Sequence, residues 1–93
     1  MKCALVVDDS RTAQLHLKRM LARYDLEAEC VSSAQEALDY LEHKSAPAVI
    51  FLDHHMEDMD GFEALKIIKA NPATATIPVI MYTAQQGDVY VGQ

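Results

Sequence analysis

Residues 49–61 read VIFLDHHMEDMDG: four apolar residues, then Asp53, two histidines, three further acidic residues and a glycine. A short, unbroken apolar run with Pro47 just ahead of it reads as a strand over 48–52, buried on both faces as in a parallel sheet. Asp60 is suited to cap a helix that carries Phe62, Leu65 and Ile68 until Asn71-Pro72 ends it. The same alternation of strand and helix continues in both directions. Upstream, the apolar run 3–7 is followed by Asp8, Asp9 and Ser10. Any of these can cap a helix reaching Tyr24, with Ala13, Leu17, Met20, Leu21 and Tyr24 on one face. A shorter strand is expected over 27–31. Ser33, with Glu36 three residues on, forms a capping box for a helix whose apolar face is Ala34, Ala37, Leu38 and Leu41. Downstream, Pro78 opens a fourth strand over 79–83, and 85–93 reads as a connection or the first turns of a helix.

Apolar strands alternating with amphipathic helices specify a doubly wound α/β domain, a parallel sheet with right-handed crossovers and helices on both faces. In such sheets function gathers at the carboxyl ends of the strands. The first strand ends at Asp8-Asp9, the third at Asp53 and the fourth at Thr83, so three carboxylates and a hydroxyl should converge there. This convergence accounts for the charge crowded beyond Leu52. Each close pair of carboxylates costs on the order of a few kcal/mol near a protein surface, and a cation relieves it. The all-oxygen set favours Mg²⁺, which takes one or two carboxylates directly and keeps several waters. His54 and His55 are adjacent and lack a partner one helical turn away, which is poor geometry for sharing an ion; they read as surface loop residues. A carboxylate beside Mg²⁺ can act as a nucleophile towards phosphorus, and Asp53 is placed for that.

Composition narrows the partners. A chain of 93 residues is one domain that buries roughly 60–65% of its unfolded surface. With 51% apolar and 24% charged residues it has the makings of a packed core. The net charge of −6 and the absence of a Lys/Arg cluster disfavour nucleic-acid backbone contacts and point to protein partners. Cys3 and Cys30 fall within strands, where they read as small buried side chains in a reducing, cytoplasmic compartment. The apolar run after Lys2 stops after five residues, too short for a secretory signal. Residues 70–87 carry no charge, yet Asn71, Pro72, Pro78, three threonines and two glutamines rule out a membrane span. A soluble protein is expected.

Four stretches, LVVDDS at 5–10, VIFLD at 49–53, M-x-x-MDG at 56–61 and PVIMYTA at 78–84, resemble the receiver domains of two-component response regulators, of the chemotaxis-regulator type. The resemblance spans the whole chain. It implies a flavodoxin-like sheet of strand order 2-1-3-4, the family's fifth strand and fifth helix lying beyond what this chain contains. It implies that Asp53 is the phosphoacceptor, served by a histidine kinase or phosphotransfer domain and read by a downstream output domain or protein. By the same resemblance Asp9 is a direct Mg²⁺ ligand and Asp8 a ligand through water or an acid just behind. The backbone carbonyl of His55 completes the protein ligands, and Thr83 is the switch hydroxyl that binds the phosphoryl group. Gly61 ends the loop after the acceptor, and Met56 and Met59 only pack.

Two departures from the family pattern bear on function. Glu57 stands where many members have Pro, and no Lys or Arg follows Lys69, where receivers supply a Lys from the end of a fifth strand. Lys69 itself is expected at the wrong end of the third helix to substitute. Without a fifth strand the fourth becomes an uncharged apolar edge, which suggests a homodimer through that strand or an exchange of residues 71–93 between chains. Two other functions fit less well. A phosphate-independent interaction module would suit the missing Lys but leaves Asp8, Asp9, Asp53 and Thr83 without a purpose. A Mg²⁺-dependent phosphohydrolase would need an acid two residues after Asp53, where His55 stands.

Overall fold

The computed structural model describes residues 2–85 and 88–92. Its elements run β1 (Lys2–Val7), α1 (Arg11–Ala22), β2 (Leu26–Val31), α2 (Ala34–His43), β3 (Val49–Asp53), α3 (Gly61–Ala70), β4 (Val79–Gln85) and β5 (Asp88–Gly92). The first four strands are parallel in the order β2-β1-β3-β4, the expected doubly wound arrangement. The family's fifth parallel strand and fifth helix are not among these elements.

Local chemistry explains where the helices begin. Ser10 is the residue that caps α1, its hydroxyl accepting from the Ala13 amide at 3.3 Å. Ser33 caps α2 through the Glu36 amide at 3.1 Å. The return bond of this box goes one residue further back than usual, from the Ser32 amide to Glu36 Oε2 at 2.8 Å. Asp60 caps α3 by accepting from the Phe62 amide at 2.8 Å. Helix α1 is shorter than the sequence suggests. It stops at Ala22, and the chain turns into β2 through Asp25 in the left-handed region, φ 59°. Tyr24 therefore lies beyond the helix and is exposed, and Met20 is also largely exposed; only Ala13, Leu17 and Leu21 of the expected face are buried. Phe62 is corrected in the same way. Ala64 and Ile68, four residues apart, face the core, so Phe62 lies on the far side of α3, half exposed, with its ring edge-on to His54 at 4.7 Å. The two cysteines are free and only half-buried.

The C-terminal stretch differs most from expectation. Residues 88–92 are neither a simple connection nor a helix start. They form β5, antiparallel to β4 with Gln85 opposite Asp88 and Met81 opposite Gly92. The Val-Tyr-Val sequence at 89–91 has strong strand propensity, which favours this pairing. The pairing also means that the outer edge of β4 is taken within the chain. The bare edge that motivated dimerisation through strand four or exchange of residues 71–93 is absent.

Strand alternation sorts the core into two layers. Leu5, Val7, Ile50 and Leu52 face α2 and α3, where they meet Ala34, Ala37, Ala64 and Ile68. Ala4, Val6 and Tyr82 face α1 and meet Leu17 and Leu21. The other outer strand, β2, carries Glu27 and Glu29, charges that discourage pairing with another chain.

Candidate functional site

The register of the sheet assembles the site. Val6 pairs with Phe51, so Asp8 and Asp53, two residues further along each strand, continue the same row on the α1 side. Tyr82 is the register partner of Asp53 on the next strand and joins that row. Carboxylate oxygens of Asp8, Asp9 and Asp53 all lie within 4.8 Å of one another. Asp8 and Asp53 are buried and Asp9 is exposed, so the cluster opens to solvent on the Asp9 side. The sequence placed these three acids together, and the structure does the same.

Asp8, only 1% exposed, is held from two directions. Its Oδ1 accepts from the Ser10 amide at 2.8 Å and its Oδ2 from the Tyr82 hydroxyl at 2.6 Å. Its backbone oxygen accepts from Gln14 Nε2 at 2.6 Å, and that amide also reaches Val31 O at 3.2 Å, tying the ends of β1 and β2 together. Asp53 is less firmly held, with one long bond from the His55 amide to Oδ1 at 3.4 Å.

Electrostatics follow from this packing. Burial first, then the neighbouring Asp8, push the Asp53 carboxyl up to about 6; the His55 amide acts the other way, and Asp9 adds to the rise. Burial and the bond to Asp8 also push the Tyr82 phenol up, so its hydroxyl remains a donor across the physiological range. An all-oxygen cluster that is partly buried, open on one side and crowded enough to raise one of its own members fits a hard divalent cation. The donor set is compatible with Mg²⁺.

The loop after Asp53 is fixed at both ends. The His54 amide donates to Tyr82 O at 2.8 Å, and the Gly61 amide returns to His54 O at 3.0 Å. Glycine is required there, because a Cβ at Gly61 would collide with the backbone oxygen of Asp53. Asp58 reaches across to the start of α2, its two oxygens accepting from the amides of Ala34 at 3.2 Å and Gln35 at 3.1 Å. Met56 and Met59 pack against the core under α2 and α3, as expected. The imidazoles of His54 and His55 contact each other at 3.2 Å between Nδ1 and Nε2 on the outside of this loop, and Glu57 is exposed. Thr83 is half-buried one position beyond Tyr82, inside β4 rather than at its end, since the strand continues to Gln85. Lys69 is spent elsewhere: its ammonium donates to Ala75 O at 3.1 Å and Ile77 O at 2.9 Å, on the approach to β4 and away from the acids.

Two residues of this site escape a reading of the sequence alone. Tyr82 follows the apolar run Val79–Met81 in its strand, and the available signal was that a buried phenol requires a hydrogen-bond partner. Asp58 gave no signal, because its contact with α2 depends on how two loops meet.

The model of the response regulator receiver domain family matches residues 4–93. The chain is 33% identical over 90 residues to the chemotaxis protein CheV2 of Helicobacter pylori, covering 94% of this chain and 29% of that protein. It is 42% identical over 81 residues to the two-component response regulator ORR21 of Oryza sativa subsp. indica, covering 86% of this chain and 11% of that one. The chain thus spans less than a third of either relative. Among solved structures, the N-terminal domain of a response regulator receiver protein from Methanoculleus marisnigri JR1 superposes with a TM-score of 0.83 at 40% identity, over 91% of this chain and 68% of that one. With the strand order β2-β1-β3-β4 and the acids at its carboxyl end, these matches establish that the chain belongs to the response regulator receiver domain family.

Proposed function

We propose that this chain receives a phosphoryl group on Asp53 and passes the event on as a change in its surface. Receiver domains of this family are signalling modules rather than enzymes in the conventional sense. The observation that carries the proposal is the gathering of Asp8, Asp9 and Asp53 within 4.8 Å at the carboxyl ends of β1 and β3. Asp9 and Asp53, with the backbone carbonyl of His55, are the groups that would hold Mg²⁺, Asp8 acting through water or from behind. Bound there, Mg²⁺ would offset negative charge on the transferring group.

The chain's own residues do the rest. Asp53 attacks phosphorus through a carboxylate oxygen while the bond from phosphorus to its donor breaks. This requires the ionised form, which a cation held beside the carboxylate favours. Asp8 remains clamped by Ser10 and Tyr82 and so keeps its place as Asp53 changes. The Thr83 hydroxyl is the group assigned to bind the new phosphoryl oxygens. The donor is a histidine kinase or phosphotransfer domain, the reader an output domain or protein, and the compartment the cytoplasm.

A titration tests the metal part. Mg²⁺ should bind weakly to the protein, more tightly when a phosphoryl-group mimic is present, and less tightly to Asp9→Asn and Asp53→Asn. Unchanged affinity in both variants would overturn the assignment and favour a phosphate-independent interaction module.

A further inference from the structure

Among the described residues Tyr82 is the largest of the fully buried side chains, and it belongs to the α1-side core. The apolar side chains it packs with there, Ala4, Val6, Leu17 and Leu21 among them, offer a hydroxyl no partner. The hydroxyl nevertheless ends 2.6 Å from Asp8 Oδ2, on a residue 74 positions away in sequence. The Ser10 amide occupies the other oxygen, so Asp8 has a donor on each side, whereas Asp53 has one long bond. A buried carboxylate oxygen that loses its donor is left unsatisfied, and the side chain is then free to swing towards solvent. That movement would take the carboxylate from the place where it faces Asp9 and Asp53.

We propose that Tyr82 is a positioning residue of the acidic site: its hydroxyl fixes the buried Asp8 carboxylate, holding its charge in place behind Asp9 and Asp53, which take the cation directly. The inference rests on the metal-assisted reading of Asp53 given above. The phenol acts from the side of the sheet opposite α2 and α3. It couples the α1-side core to the site, so the same side chain serves both packing and cation affinity.

Calorimetric titration of Mg²⁺ into the wild type, Tyr82→Phe, Asp8→Asn, the double variant and Asp53→Asn tests this. Outer partners of metal ligands typically change affinity by about 10–100-fold, and Tyr82→Phe should weaken Mg²⁺ binding by about tenfold while keeping the ring that fills the core. In the Asp8→Asn background the same change should have almost no further effect, which a purely structural role for Tyr82 would not produce. If Asp53→Asn weakens binding but Tyr82→Phe matches or exceeds the wild-type affinity, the inference fails and the metal reading stands. If the wild type shows no saturable binding, or Asp53→Asn binds equally well, both fail. Should Tyr82→Phe not fold, the wild type labelled with ¹³C at tyrosine Cζ provides the test. The Tyr82 signal, identified by elimination with Tyr24→Phe, Tyr40→Phe and Tyr90→Phe, should shift along the Mg²⁺ saturation curve. A signal unmoved through saturation would overturn the proposal.

Discussion

The two faces of the sheet are built differently. On one, α2 and α3 cover an aliphatic layer in which Leu5, Val7, Ile50, Leu52 and Ile68 are all buried. On the other, α1 is the helix that covers the strands, the small residues Ala4 and Ala28 take part, and Val49 and Phe51 are only partly buried. The α1 side is therefore thin, and Tyr82 supplies bulk there. Its polar tip must find a partner and reaches the acidic site, so a packing solution on the thin side becomes an electrostatic feature of the functional end. The thick side grips the site differently, through Met56, Met59 and the Asp58 bridge to α2. The acids are thus held between a phenol from one layer and a loop from the other.

Tyr82→Ala should have the largest effect on stability. By analogy with other aromatic truncations in cores it should cost about 3–5 kcal/mol in denaturant unfolding, because it leaves a cavity and strips Asp8 Oδ2 of its donor together. A loss below about 1 kcal/mol, the scale of an ordinary surface change, would show that the α1 side does not depend on this residue.

A pH comparison sharpens the contrast from the site's side. Without divalent cations, Asp53 has its carboxyl raised from 3.8 to about 6 in the folded protein, so the folded state holds its proton more tightly than the unfolded chain. Its contribution to stability is therefore fully present below about pH 3.8 and lost as pH rises through 6. Asp53→Asn lacks this titration, so its stability relative to wild type should increase from pH 4 to pH 7 in chelator. A difference that stays flat across that interval would mean that neither burial nor the neighbouring acids raise the Asp53 carboxyl.

The smallest expected effect lies on the thick side. Asp58→Ala removes the acceptor for the first amides of α2 and should cost about 1 kcal/mol, as loss of a helix cap does. Hydrogen exchange at Ala34 and Gln35 should quicken with it. If those amides keep their protection, the loop is not anchored to α2 in solution.

Much of this arrangement is legible in the residues. Apolar runs at 3–7 and 49–52, each ending in acid, locate the strands and their functional ends, and Ser33 and Asp60 mark where two helices begin, while the sequence narrows the first cap to Asp8, Asp9 or Ser10 and the structure shows Ser10. What eludes the sequence is set by tertiary geometry. Tyr24 and Phe62 have the composition of core residues, but the early end of α1 and the rotation of α3 leave them outside. The pairing of β5 with β4 accords with the strand propensity of Val89, Tyr90 and Val91, which the reading of 85–93 as a connection or helix start passes over. Tyr82 is buried for its ring and significant for its hydroxyl, and only the register that sets it opposite Asp53 reveals the second role.

The central claim, that Asp53 accepts a phosphoryl group in a site assembled with Asp8 and Asp9, is tested most directly by mass. The protein would be incubated with a small phosphodonor and Mg²⁺, its intact mass followed in time, and the modified residue located by peptide mapping after reduction with borohydride. The account predicts one added phosphoryl group, located on Asp53, absent in Asp53→Asn and lost when chelator replaces Mg²⁺. It also predicts a faster rate once the chain is extended through a fifth strand that ends in Lys, since that Lys would set a cation on the transferring oxygens. Modification that persists in Asp53→Asn, or none in the wild type under conditions that phosphorylate the extended chain, would contradict it.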